Sequence, residues 1–376
     1  MAGLFDYEFQ LEKINKHQPP LQKLNKIIDW EMFRETIEEA FVKEDRKSNA
    51  GRKPYDKLLM FKILILQRYY NLSDEQTEFQ IKDRLSFLDF LKLQIGDDVP
   101  DEKTIWLFKE QLKEKDLSKK LFELFTSKLI SNGIVAKEGT IVDASFVNVP
   151  KQRNTRDENS DIKKGAIPLE FGKRDKNGNQ PKLVQKDCDA KWTTKGGQRE
   201  YGYKDHVASD QKTKIITKYE VTPASTHDSQ VIKDLIDEDD NTLYADSAYK
   251  SEETEQYLES KNVKSKVIKR AYRNKPLTNT EHKENYKHSK TRVRVEHIFG
   301  TLTSQMNNAL NLTSIGIDRI KSTIGLTNLT YNLVRYEQMV RLQKVKLIWK
   351  ELENGWNIQN IEKLGGIFTK FLVKFS

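Results

Sequence analysis

The sequence predicts two folded parts: an all-helical N-terminal domain over residues 1–135, then a mixed α/β domain over 136–345. Apolar residues recur at helical spacing through the first part, and at residue 140 the period falls from about 3.6 to about 2. The order of elements after that point sets the class. Three strands in succession, then helix, strand, helix, strand, helix, make a mixed sheet flanked by helices.

In the first part, YDKLLMFKILILQRYY (55–70) reads as a largely buried helix, introduced by the loop NAGRKP with its Gly51 and Pro54. Ser73 and Gln76 have capping-box spacing, and Phe79, Leu85, Leu88 and Leu91 continue the apolar pattern. Asp98, Val99, Pro100 and Asp101 open a helix through Ile105, Trp106 and Phe108, and another runs from about Leu117 to Leu129 before Gly133. Short helices joined by basic loops suit a helix-turn-helix variant or a plain bundle equally well.

In the second part, strands are expected at 140–149, 202–209, 213–221, 241–246 and 264–269. Helices follow Thr226 and Ser251, and others run from about Asn285 to Ala309 and from Asp318 to about Gln343. The polar stretch 150–200 reads as one long loop, a length that inside a domain is usually functional or disordered. Residues 346–376 form a tail with no assigned role.

The chain carries 65 Lys+Arg against 56 Asp+Glu, a formal charge of +9. Its longest apolar run, LLMFKILIL (58–66), is interrupted by Lys62 and too short for a bilayer, so no membrane partner is expected. The N-terminus lacks a basic-then-apolar signal pattern. A single cysteine, Cys188, excludes a disulfide framework and a cysteine-based zinc cluster, which fits a reducing, cytoplasmic setting. The six histidines show no metal-ligand spacing. Positive charge concentrates in residues 261–295, where twelve Lys/Arg face two acids, Glu281 and Glu284. Such a block is a solvated face or a phosphate-binding surface, and the interleaved Tyr272 and Tyr286 favour nucleic acid.

Three acids stand out. Asp246, in LYADSAYKS, lies where a short strand ends, the place where open α/β sheets put catalytic groups, although capping the next helix explains it as well. Asp143 lies among the β-formers of IVDASFV, with no turn to cap, and wants a partner or a metal. Glu296, in TRVRVEHIFG, sits beside the stripe Val295, Ile298, Phe299 and Leu302, and an ion pair with Arg292 one turn earlier is its simplest explanation. Taken together they supply three oxygen donors from the first strand, the fourth strand and a late helix. Such a set suits Mg²⁺ or Mn²⁺, and a pair of these ions serves phosphodiester chemistry. Asp205 and His206 alternate on a strand and read as a satisfied surface pair, while Asp228 reads as helix-start chemistry after His227. Trp192, between Lys191 and Lys195, is placed to stack on DNA or to pack locally.

The ordered set GRKPYDKLLMFKILIL, DASFV, DCDAKW, GYKDHVASD, TPASTHDSQ, YADSAY and RVRVEHIFG resembles the DDE transposases of bacterial insertion sequences, in the insertion sequence 5 branch, over roughly residues 50–340. The resemblance implies an RNase H-like catalytic core with Asp143, Asp246 and Glu296 as ligands of two Mg²⁺ or Mn²⁺ ions, and a helper role for Arg292. It also implies double-stranded DNA as partner, both element ends and target, a homodimer on that DNA, and association with the nucleoid. Arg292 matches the Arg of a Tyr-x2-Arg-x3-Glu-x6-Lys signature, but Ser289 and Thr303 stand where its Tyr and Lys would be. Candidate DNA contacts are Arg52, Lys53, Trp192, Lys269, Arg270, Arg273, Lys290 and Arg294.

Overall fold

The computed structural model describes residues 6–41, 54–135, 137–166, 186–195, 197–237, 239–273 and 276–342. Arg52, Lys53 and the tail 346–376 lie outside them. The chain begins with α1 (Asp6–Lys16), α2 (Pro20–Ile27), α3 (Arg34–Ala40), α4 (Lys57–Tyr70), α5 (Asp74–Asp83), α6 (Leu85–Leu91), α7 (Glu102–Glu114) and α8 (Leu117–Ser131). Helix α4 is buried on nearly every side, so its three buried polar residues, Lys62, Gln67 and Arg68, have to be satisfied inside the protein. Lys62 Nζ donates to the Phe90 carbonyl at 2.6 Å, and Gln67 Nε2 to Asp74 at 2.7 Å. Arg68 donates to Thr327 Oγ1 at 3.0 Å and to the Ala309 carbonyl at 2.7 Å. The capping box at Ser73 and Gln76 forms as its spacing predicts, with both bonds at 3.1 Å.

The sheet follows: β1 (Thr140–Asn148), β2 (Lys191–Lys195), β3 (Gln198–Asp210), β4 (Ile216–Pro223), β5 (Thr242–Tyr244) and β6 (Lys264–Ser265). Its order is β2-β3-β1-β5-β6, with β4 also paired to β3. Strand β3 runs antiparallel to both β1 and β4, whereas β5 and β6 run parallel to β1. This is the mixed sheet expected from the order of elements. Helices α9 (Arg156–Lys163), α10 (Ile232–Leu235), α11 (Glu252–Ser260), α12 (Asn279–Arg292), α13 (Glu296–Gly300) and α14 (Ile317–Arg341) complete the described elements. None of the described helices is long and apolar enough to cross a membrane.

The stretch 150–200 is not one loop. Its described parts hold α9, begun by a capping box at Thr155 and Glu158, and a β2–β3 hairpin. Gly202 of β3 has φ +145, and a Cβ there would overlap the Val147 carbonyl oxygen, so only glycine lets β3 lie this close to β1. The helix expected from Asn285 begins earlier, at Asn279, because Thr278 and Glu281 form a capping box.

Two cores cover the two faces of the sheet. Ile141, Val147 and Tyr244 join the larger one with α2, α4, α8 and α14, while Val142, Leu243 and Ala245 face a smaller one with Val231, Ile232 and Leu258. Helix α14 is the axle of the larger core. Asn332 clamps the start of β4, donating to the Ile216 carbonyl at 2.8 Å and accepting from its amide at 2.9 Å. Ser322 meets Ser118 of α8 at 2.8 Å. The N-terminal helices and the sheet domain therefore differ in secondary structure but share one apolar core through α14.

Asp205 and His206 are not a surface pair. Strand β3 is flanked on both edges and covered on both faces, which leaves each residue fully buried. Asp205 Oδ1 accepts from Asn328 Nδ2 at 3.2 Å, and His206 Nε2 lies 2.9 Å from Thr222 Oγ1. Burial pushes the Asp205 carboxyl up to about 7 and the His206 imidazole down to about 4. An acid with a raised value stabilises the fold at low pH and loses that contribution as pH rises from about 4 to about 7. A histidine with a lowered value loses its contribution as pH falls from about 6.5 to about 4. The two slopes oppose each other. Against the wild type, Asp205→Asn is expected to gain stability and His206→Gln to lose it as pH rises from 4.5 to 6.5, each by roughly 2–3 kcal/mol. Urea unfolding across that range checks this, and pH slopes unchanged by both substitutions would contradict it.

Candidate active site

Asp143 lies in mid-β1, paired with Val207 of antiparallel β3 and two residues beyond the last pair that β1 makes with parallel β5. The parallel register pairs Thr140 with Leu243 and Ile141 with Tyr244. Carried on past the end of β5, the same register sets Asp143 level with Asp246. Strand alternation turns both toward the face that Ile141 and Tyr244 occupy. Two acids 103 positions apart in sequence thus come to one level of the sheet because β1 and β5 run parallel.

Asp246 does cap the turn after β5, accepting from the Ser247 amide at 2.6 Å with its own backbone extended. Capping leaves it half-buried and on the site side, so the structural reading and the catalytic one hold together. Asp143 accepts from the Ala144 amide at 2.9 Å and, through Oδ2, from Arg292 Nη1 at 2.6 Å. Arg292 therefore reaches across to Asp143 rather than along its own helix to Glu296. Both partners are mostly shielded, with side chains 21% and 15% exposed, so this ion pair is stronger than a surface one.

Glu296 is the first residue of α13, which a 3₁₀ turn, Val293–Val295, joins to α12. Val295 and Ile298 are buried and hold that junction, while Glu296 itself is exposed. Among the described residues, no three of His, Cys, Asp and Glu come together closely enough to hold a metal ion. The structure thus brings Asp143, Asp246 and Arg292 together and leaves Glu296 one turn beyond, at the rim.

Two further residues lie by this cluster: Tyr249, which the sequence did not single out, and Asp228, which it read as helix-start chemistry alone. Tyr249 is buried in the turn that Asp246 caps, and its hydroxyl has no hydrogen-bond partner. Its ionisation is pushed well above the ordinary range, first by burial and then by the carboxylates of Asp228, Asp143 and Asp246, with Arg292 opposing. Asp228 pairs with Lys204 of β3 at 2.7 Å and lies on the same Tyr249 hydroxyl field. The signal for Tyr249 was the apolar-to-polar pattern of YADSAY, where a second aromatic follows the acid at helical spacing. Asp228 gave none beyond helix-start chemistry.

Partly shielded carboxylate oxygens are the donor type that a hard divalent cation takes, although among the described residues they are not gathered into a set that holds one.

The remaining candidates divide. Lys269 is held by Glu284 at 3.0 Å and Glu281 at 3.6 Å, and Arg294 donates to the Gln211 carbonyl at 2.8 Å, so each has a partner within the chain. Arg270, Arg273 and Lys290 are exposed. Trp192 is 49% exposed on β2, packed on Tyr201 with ring centroids 5.1 Å apart.

The family described as "Transposase DDE domain" matches residues 136–333, more than half of the chain, and covers β1, β5 and the α12–α13 junction. The chain belongs to the DDE transposases. A second family, "Transposase domain (DUF772)", matches residues 9–111, within the helical part. Among solved structures, the chain is similar to piggyBac transposase in a synaptic complex with hairpin DNA, at 12% identity and a TM-score of 0.39, over 89% of this chain and 79% of that one. It is also similar to a pre-cleavage Mos1 transpososome, at 13% identity and a TM-score of 0.25, over 80% and 81%. These likenesses are too distant to carry weight. The DDE transposase family is one of enzymes, and it generally works with divalent metal ions.

Proposed function

We propose that this transposase serves a bacterial insertion sequence: it binds the element's terminal inverted repeats in double-stranded DNA, cleaves there with water, and joins the 3′-OH ends to target DNA. The observation that supports this most is the register of β1 and β5, which sets Asp143 level with Asp246 beside Arg292. Asp143, Asp246 and Glu296 would hold two Mg²⁺ or Mn²⁺ ions. Such ions, when bound, activate the attacking oxygen and stabilise the leaving one.

The chain's own residues position the rest. Asp143 is fixed by its pairing with β3 and by its bonds from the Ala144 amide and Arg292, and the cap to Ser247 fixes Asp246, so neither carboxylate has to be ordered when DNA arrives. Arg292 neutralises Asp143 and holds its carboxylate in place. Glu296, at the rim, approaches by a shift of the α12–α13 junction on DNA. Residues 1–135 read element ends as a helical DNA-binding domain, and residues 136–345 form the catalytic domain. Arg52, Lys53, Trp192, Arg270, Arg273 and Lys290 contact DNA, and a homodimer holds the two ends.

Incubating the protein with end-containing and random duplexes, with and without Mg²⁺, tests the proposal. Metal-dependent nicks confined to the ends, followed by joined products, are expected. Equal cutting of random duplex would indicate a general nuclease instead.

A further inference from the structure

Helix α12 poses a problem of stability, since none of its 14 residues is buried. A helix polar on every side has to be held by something other than an apolar face. Its inner side supplies that support. Glu281 closes the capping box at Thr278, and Glu284 pairs with Lys269. Asn285 brackets the Lys269 backbone, accepting from its amide at 3.0 Å and donating to its carbonyl at 2.8 Å. His288 meets the Tyr244 ring edge-on at 6.1 Å, and Arg292 ends the stripe on Asp143.

The outer side is different in kind. His282, Lys283, Tyr286, Lys287 and Lys290 are all exposed and line a shallow, open concavity of 480 Å³. Lys283, Lys287 and Lys290 repeat at i, i+4 and i+7, a like-charged stripe that costs an isolated helix a few tenths of a kcal/mol per pair. Both acids of the helix are turned inward, so none relieves the stripe. Tyr286, 64% exposed, lies among the lysines with Lys290 Nζ 4.6 Å from its ring centre. The charge separation across α12 fits a polyanion laid along its outer side.

We infer that the outer stripe of α12 is a docking track for the sugar–phosphate backbone of duplex DNA, with Lys283, Lys287 and Lys290 on phosphates and Tyr286 against the sugars. This rests on the reading of the protein as acting on DNA and adds where the duplex lies. From Lys283 to Lys290 the helix rises about 10 Å, enough to follow two or three successive phosphates. The same helix delivers Arg292 to Asp143, so DNA on the track is led to the acids.

The test is metal-free binding of end-containing and random duplexes across a salt series, using the full chain. The triple variant Lys283→Gln, Lys287→Gln, Lys290→Gln is compared with a control triple of exposed lysines away from α12 and from residues 1–135, Lys163→Gln, Lys164→Gln, Lys233→Gln. The track predicts that the α12 triple lowers the slope of log K against log salt by about 2 to 3, weakens both duplexes alike, and leaves the control near wild type. Tyr286→Ala should weaken binding several-fold with little change of slope. An unchanged slope in the α12 triple, or an equal fall in the control, would overturn the inference while the wild type still binds. Failure of the wild type to bind any duplex would overturn the DNA reading itself, and this track with it.

Discussion

Asp143→Asn, Asp246→Asn and Glu296→Gln are each expected to lower DNA cleavage by on the order of 10³-fold or more while the chain stays folded. The substitutions are close to isosteric. Asn at 246 still accepts from the Ser247 amide, and Asn at 143 still accepts from the Ala144 amide, so the local structure is kept. What goes is negative charge beside a phosphodiester, and with it the affinity for a cation. The same loss predicts a useful counter-effect: without metal, each variant should bind duplex as tightly as the wild type or more tightly, because a carboxylate that repels phosphates has gone. Gel-shift and cleavage assays on the same preparations separate the two effects. Near-normal cutting by any one variant would remove that residue from the set.

The largest expected loss of stability lies elsewhere, at Asp187. This buried carboxylate accepts from the Asp189 amide at 2.9 Å, the Ala190 amide at 3.0 Å, the Tyr203 hydroxyl at 2.8 Å and the Gly316 amide at 3.0 Å. Asp189 adds a bond from the Ile317 amide at 3.1 Å, so the pair ties the start of α14 to the β2–β3 hairpin. Asp187→Ala leaves several buried donors without partners, and a loss of about 3–5 kcal/mol is expected. Asp189→Ala, which removes one bond, should cost about 1 kcal/mol. Urea unfolding of the two variants gives the comparison, and equal small losses would show that the clamp does not hold α14.

The sequence made the local features readable and hid the long-range ones. The α4 stripe, the capping box at Ser73 and the strand holding Asp143 rest on neighbours a few residues away, so spacing alone revealed them. Strand β2 was masked by the polar stretch around it, although Gly-Gly between KWTTK and QREYGYK is a two-residue hairpin signal. The burial of Asp205 and His206 depended on which strands flank β3, and those partners come from distant parts of the chain. Arg292 shows the same limit. Glu296 lies at the favoured helical spacing, yet the partner in the structure is 149 residues away. The level placement of Asp143 and Asp246 needed the parallel register, whereas their residue types, one within a strand and one at a strand's end, were visible from the start.

The claim that the acids form one metal site is tested most directly by exchanging the ligand atom. Asp143→Cys, Asp246→Cys and Glu296→Cys place a softer sulfur where an oxygen is expected to bind, and Mn²⁺ tolerates sulfur better than Mg²⁺ does. End cleavage by each variant should be lost in Mg²⁺ and partly recovered in Mn²⁺, while the wild type works in both. A cysteine variant that cuts equally well in the two metals, or that stays inactive in both, would contradict a ligand role for that residue.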